Sequence, residues 1–251
     1  MDVQAYLERI NYQGPVETTP ENLRALQVAH LRTVPFENLS IHCGQPIVLN
    51  DDDLYEKIVL RGRGGFCYEL NGLFARLLRE LGFKVRMLSA NVAGDQGFSA
   101  DFDHMTLLVS LAEDWLVDVG FGDSFEEPLA IDRATEQVQG MMGYDVVRGD
   151  GYHVMRRRPI GGEWKNQYRF TLQPYEYADF EPRCHYQQTS PESHFRKGKV
   201  CTIATPDGRI TISEMRLITT EGGIRSERNI EDDAEYVALL REHFGITEQL
   251  N

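Results

Sequence analysis

A thiol, an imidazole and a carboxylate are the groups in this chain whose settings suggest chemistry: Cys67, His104 and Asp118. Cys67 stands in Arg61-Gly62-Arg63-Gly64-Gly65-Phe66-Cys67-Tyr68-Glu69-Leu70-Asn71-Gly72, where a basic, glycine-rich loop enters a helical pattern. A thiol is a weak nucleophile at neutral pH unless its pKa is lowered, and the unpaired N–H groups of a helix's first turn lower it. Gly64 and Gly65 allow a tight turn and close approach of a substrate, while Arg61 and Arg63 add positive potential. An arbitrary cysteine at a helix start is a small buried hydrophobe; this setting favours the nucleophile. Metal and redox readings fail, because Cys43, Cys67, Cys184 and Cys201 form no C-x-x-C pair and lack ligand spacing. A phosphate loop fails for want of the G-x-x-x-x-G-K-[ST] pattern.

A nucleophilic thiol needs a base, and the base needs an orienting group. Of seven histidines, His104 stands out between Asp103 and the strand-like Met105 to Leu111. His30 reads as a core or boundary histidine on a helix. His42, His153, His185, His194 and His243 lie in irregular, edge or terminal contexts. Asp118 interrupts Trp115-Leu116-Val117-Asp118-Val119, a strand otherwise built to be buried, where a lone carboxylate is costly unless paired. If Leu111 to Glu113 form the turn and Ser110 pairs with Asp114, Asp118 faces Thr106 on the sheet face that carries His104. Diagonal neighbours of this kind are about 7–8 Å apart. The chain order Cys, His, Asp then suits an acyl-transfer triad.

The elements that must hold these groups follow from periodicity. Asp2 to Ile10 reads as a short helix, and Thr19-Pro20-Glu21 starts another that Pro35 ends. Asn50 to Asp53 cap a helix running to about Leu60. Leu70, Leu73, Phe74, Leu77, Leu78 and Leu81 form a buried stripe stopped by Gly82. From Phe83 the period changes to two, with strands at 84–88, 104–111, 115–119, 141–147, 152–157 and 168–172. Thr205-Pro206-Asp207-Gly208 turns a hairpin between 200–204 and 209–213, and a helix closes the chain at about 230–244. Helices, then antiparallel strands, then a helix define an α+β class.

Composition is that of a globular protein, with 41% hydrophobic and 26% charged residues in 251. A net charge of −13 argues against general nucleic-acid binding. The basic clusters Arg156 to Arg158 and Arg196-Lys197-Gly198-Lys199 leave room for a small anionic ligand. No leader pattern or apolar run of membrane length is visible, so a cytoplasmic protein with free thiols is expected.

Six segments, in order, make the chain resemble the arylamine N-acetyltransferases. They are Val34-Pro35-Phe36-Glu37-Asn38-Leu39, Arg63 to Asn71, His104 with its strand, Val117-Asp118-Val119-Gly120-Phe121-Gly122, Phe170-Thr171-Leu172-Gln173-Pro174, and Thr189 to Phe195. The resemblance implies a helical bundle over 1–82 carrying Cys67 and a β-barrel-like antiparallel middle domain over 83–185 carrying His104 and Asp118. An α/β lid over 186–251 follows, around a papain-like triad core. It implies acetyl-CoA as cosubstrate, with no permanently bound cofactor, and arylamines, arylhydrazines or N-hydroxyarylamines as acceptors. In that reading Cys67 is acetylated, His104 is its base and Asp118 orients the base. Arg63 holds Glu37 internally; Phe36, Tyr68, Asp103 and Phe121 lie on the acceptor side. Ala100, Asp101 and Phe102 lie beside the donor's pantetheine arm, with Ile210 and Arg216 as further donor-site candidates. By charge alone, and not by the resemblance, Arg196, Lys197 and Lys199 are candidates to meet the CoA phosphates. The tail is shorter than in many members, so tail contacts are not carried over. A transglutaminase-like cysteine hydrolase and a macrolactam-type amide synthase use the same triad and stay open; a binding module with a dead triad fits the intact residues poorly. No nucleic-acid or membrane partner is expected.

Overall fold

The structure is a computed structural model that describes residues 1–248. Its first helices start where the sequence places caps. Helix α1 (Val3–Arg9) begins at Asp2, whose carboxylate accepts the Ala5 N–H, and α2 (Pro20–Leu31) begins at Thr19, whose hydroxyl accepts the Asn22 N–H. The turn expected at 34–39 contains a two-residue strand, β1 (Phe36–Glu37), followed by the short α3 (Leu39–His42). Helix α4 (Asp51–Tyr55) is capped by Asn50. It does not continue regularly to Leu60, because the chain widens into a π-helical turn over Glu56–Leu60. Helix α5 (Cys67–Glu80) buries Leu70, Leu73, Phe74, Leu77 and Leu78 completely, and the chain leaves it through Gly82 at φ +91°.

The middle of the chain is one antiparallel sheet. Its strands are β2 (Lys84–Gly94), β3 (Gly97–Phe98), β4 (His104–Ser110), β5 (Asp114–Val117), β6 (Leu129–Ala130), β7 (Gln137–Gln139), β8 (Met142–Arg148), β9 (His153–Pro159) and β10 (Lys165–Tyr175). They run β6-β5-β4-β2-β10-β9-β8-β7, with β3 paired to β2. The two ends are joined by side chains: the Gln137 amide bonds both the N–H (2.9 Å) and the C=O (3.0 Å) of Ala130. Gln139 likewise accepts from Glu126 and Glu127 N–H and donates to Glu127 O. The sheet is thereby nearly closed into a barrel. Strand β4 is buried on both faces: Met105, Leu107 and Val109 pack with the helices, and Leu108 packs with Leu88, Leu116, Tyr168 and Phe170 inside the barrel.

Helix α6 (Tyr177–Thr189) follows, and its Phe180 and Cys184 join the helical core beneath α5. Then come α7 (His194–Lys197), β11 (Val200–Thr205), β12 (Gly208–Ser213), β13 (Arg216–Glu221), β14 (Ile224–Asn229) and α8 (Asp233–Phe244). The Thr205↔Gly208 hairpin forms as the turn signal requires. Strand β1 adds to β11, giving the order β1-β11-β12-β13-β14. One face of this sheet (Cys201, Ile203, Ile212, Leu217) packs on Tyr236, Leu239, Leu240 and Phe244 of α8. Among the described residues no helix is long and apolar enough to cross a membrane.

Candidate active site

The site forms where the start of α5 meets the ends of β4 and β5. Ser110 pairs with Asp114 and Leu107 with Val117, the register that the turn length requires. Asp118 follows directly, and its Oδ2 lies 2.6 Å from His104 Nε2. Asp118 Oδ1 accepts from Asn71 Nδ2 at 2.8 Å and from the Gly120 N–H at 2.9 Å. Both oxygens of this buried carboxylate are thus hydrogen-bonded. Burial alone would raise its pKa; His104, Asn71 and the Gly120 N–H outweigh burial and hold it below the ordinary range. With Nε2 committed to Asp118, His104 has Nδ1 free to act as a base.

Asn71 joins the two halves. One turn along α5 from Cys67, it donates to Met105 O (2.7 Å) and Asp118 and accepts the Val119 N–H (2.9 Å). Gly120 permits the contact: a Cβ there would stand 2.7 Å from Cys67 Cα and 2.7 Å from Asn71 Nδ2. The Cys67 thiol faces the N–H of Met105, the residue after His104. Gln27 supports the far side, accepting the Asp118 N–H and donating to Glu126 O. The sequence reading missed Asn71, Gln27 and Tyr168. Polar residues on a buried helix stripe are the signal that could have exposed the first two.

Burial works against the low thiol pKa expected of a helix start. It pushes the Cys67 thiol well up, the Met105 N–H offsets part of this, and the negative charges of Asp118 and Asp103 add to it. A buried thiolate here therefore needs an imidazolium beside it. The helix start alone does not suffice. Nor do the arginines face the sulfur. Arg61 pairs with Glu248 at 3.0 Å, and Arg63 is wholly buried, with Nε and Nη2 at 3.0 and 2.8 Å from Glu37 Oε1 and Nη1 at 3.0 Å from Glu248. Glu37 also accepts the Leu39 N–H at 2.7 Å. Burial would raise Glu37, but Lys57, Arg63 and that N–H hold it low.

Aromatic rings pack around the site. Phe121 stands edge-on to His104 at 5.1 Å, and Tyr168 lies 5.2 Å from both rings. Phe36 touches Phe195, which meets Phe66 edge-on at 5.4 Å. Tyr68, expected on the acceptor side, is completely buried and donates its hydroxyl to Phe102 O at 2.7 Å, so it props the loop before His104. Asp103 Oδ1 is taken by Arg183 (2.6 Å) and Gln187 (2.6 Å). Phe102 holds φ +61°, its N–H on Ser89 Oγ and its ring against Tyr175 and Phe180. Ala100 and Asp101 are exposed, Asp101 bonded to Asn91. Ile210 packs with the α8 side of its sheet, the face away from Phe36, because strand alternation puts Thr211 and not Ile210 in the row of Phe36 and Thr202. Arg216 is exposed and paired with Glu227 at 2.7 Å.

This geometry has relatives. A sequence profile of the N-acetyltransferase family matches residues 19–250. The arylamine N-acetyltransferase of Escherichia coli (strain K12) is 34% identical, over 96% of this chain and 87% of that protein. Proansamycin X synthase of Amycolatopsis mediterranei (strain S699) is also 34% identical, over 95% of each. Among solved structures, the arylamine N-acetyltransferase from Salmonella typhimurium superposes with a TM-score of 0.93 at 30% identity, covering 98% of this chain and 92% of that one. The Mycobacterium marinum enzyme in complex with CoA gives 0.91 at 32% identity, with coverages of 98% and 93%. The chain belongs to the arylamine N-acetyltransferase family of acyltransferases.

Proposed function

We propose that the protein transfers an acetyl group from acetyl-CoA to the nitrogen of arylamines, arylhydrazines or N-hydroxyarylamines, by way of acetyl-Cys67. The observation that carries this reading is the buried His104–Asp118 pair at 2.6 Å, tied through Asn71 to the helix that begins with Cys67. In the first half-reaction the Cys67 proton moves to His104 Nδ1, and the thiolate attacks the thioester carbonyl. The C–S bond to CoA breaks, and the departing CoA thiolate takes the proton back. In the second, an unprotonated aromatic amine attacks acetyl-Cys67, His104 accepts its proton, and the Cys67 Sγ–acyl bond breaks to release the amide and restore the thiolate beside the imidazolium. Asp118 keeps Nε2 protonated and stabilises the imidazolium in both steps. An acceptor ring would stack among Phe36, Phe121 and Phe195. The CoA complex of the Mycobacterium marinum relative supports the donor.

Proansamycin X synthase is as similar to this chain as the acetyltransferase of Escherichia coli. That similarity sustains a second reading, an amide synthase of macrolactam type, in which the acyl group is not acetyl. Intact-mass spectrometry after mixing with acetyl-CoA alone decides between them. One added acetyl group, absent in Cys67→Ala and discharged by an arylamine, is the expected result. An unchanged mass rules out the acetyltransferase reading.

A further inference from the structure

Behind Cys67, on the side away from His104, lies a pair of buried charges that the reaction scheme does not use. Glu69 is the third residue of α5, and its Oε2 accepts the N–H of Phe66, the residue just before Cys67, at 3.0 Å. Phe66 carries no polar side chain, so the usual forward half of a capping box is missing and Glu69 alone supplies the side-chain cap. Its other oxygen, Oε1, receives Lys57 Nζ at 2.7 Å. Both residues are buried, Glu69 completely. The loop is sealed onto this carboxylate: a Cβ on Gly65 would meet Glu69 Oε2 at 2.7 Å.

Lys57 reaches this place because the chain widens into the π-helical turn Glu56–Leu60, a feature often retained at functional sites. The same turn anchors the loop, with the Arg63 N–H on Lys57 O at 3.1 Å. Lys57 Nζ also lies 4.0 Å from Glu37, the partner of Arg63. The groups facing Glu69 are Lys57 from the π turn and Glu37 from β1, with Cys184 of α6 nearby. Burial raises the Glu69 carboxyl, Glu37 raises it further, and Lys57 and the Phe66 N–H act against both. Without its ammonium partner this carboxyl is either an uncompensated buried charge or holds a proton whose O–H has lost its acceptor, and each disturbs its hold on the Phe66 N–H.

We infer that Lys57 is a positioning residue for acyl transfer, acting through Glu69 on the Phe66–Cys67 backbone to set where the thiol stands relative to His104. This deepens the acetyltransferase reading and rests on it. Lys57 touches no reacting atom. It fixes the carboxylate, the carboxylate fixes the Phe66 N–H, and that amide sets the first turn of α5. A misplacement of about 1 Å at such a point costs on the order of 10²-fold in rate.

The test uses three variants, each read by rapid-quench intact mass with acetyl-CoA and by the pH profile of Cys67 alkylation with iodoacetamide. Lys57→Met should slow acetyl-Cys67 formation by about 10–100-fold, with the KM for acetyl-CoA within about twofold. Its alkylation midpoint should move up by about one pH unit, because the thiolate loses its imidazolium neighbour. The double variant K57Q/E69Q keeps an acceptor for the Phe66 N–H without buried charge and should recover to within about threefold of wild type. K57Q/E69L removes the acceptor without leaving an orphan charge and should stay slow, which keeps the inference testable if Lys57→Met does not fold. Acetylation rates and alkylation profiles equal to wild type in Lys57→Met or K57Q/E69L, whatever the loss in Tm, overturn it. A wild-type protein that never gains acetyl overturns the functional reading instead; the alkylation profiles then still decide the role of Lys57.

Discussion

Two buried imidazoles lie close to helix α5, and they could hardly be more different in their surroundings. His104 sits at the barrel end with Asp118 at 2.6 Å and Phe121 and Tyr168 against its ring. His30 lies in the helical core, 5.1 Å from Phe74 and 6.0 Å from Tyr6, and neither ring nitrogen has a partner among the described residues. Burial, helped by Arg9, lowers the His30 pKa to about 3, so this ring stays neutral and serves as an aromatic spacer. Burial alone therefore makes a histidine inert. A carboxylate supplied from a neighbouring strand makes it a base.

The largest expected effect comes from erasing that difference. Asp118→Asn removes the charge but not the shape, and acetyl-Cys67 formation should fall by about 10³–10⁴-fold with near-wild-type circular dichroism. A rate within tenfold of wild type would mean that the carboxylate is not what separates the two histidines. Next is Asn71→Leu, which orphans Met105 O and the Val119 N–H and removes a donor from Asp118. Urea melts should show a loss of about 2–6 kcal/mol, at about 1–3 kcal/mol per buried orphan. A loss under 1 kcal/mol would show that the two halves of the site do not depend on this amide.

The smallest effect concerns His30. Its folded pKa of about 3 lies below the unfolded value of 6.5, so the unfolded chain takes up a proton first as pH falls. Stability should therefore drop from about pH 6.5 downward, at up to about 1.4 kcal/mol per unit, levelling near pH 3. Between pH 7.5 and 5 the wild type should lose about 2 kcal/mol more than His30→Phe. Equal losses would place a compensating partner at His30.

Much of the candidate site was legible because local rules and global packing agree there. The glycine loop, the α5 stripe and the short turn at 111–113 each specify one geometry, and together they bring His104 and Asp118 to one sheet face. What was illegible depends on partners far along the chain. Phe36 and Glu37 look like turn residues until β11, more than a hundred positions later, offers an edge. Nothing in the sequence sets Lys57 apart until Glu69 is seen beside it. Helix α6 hides behind Pro182 and a mixed polar sequence, although its Phe180 and Cys184 complete the helical core. The setting of the Cys67 thiol was half legible for a related reason. The helix start was visible in the sequence, but the depth of burial that outweighs it was not.

The barrel seam has a consequence for how the molecule breathes. Where β6 meets β7, the Gln137 and Gln139 side chains stand in for a backbone ladder. Such a joint opens one amide at a time, without the cooperativity of paired strands. The Ala130 and Glu127 amides should thus exchange with deuterium sooner than those of β4, which is paired on both sides. Glu126, fastened by Gln139 on one side and by Gln27 on the other, links that seam to the Asp118 amide. This side-chain seam is thereby two hydrogen-bonded side chains away from the residue that orients the base.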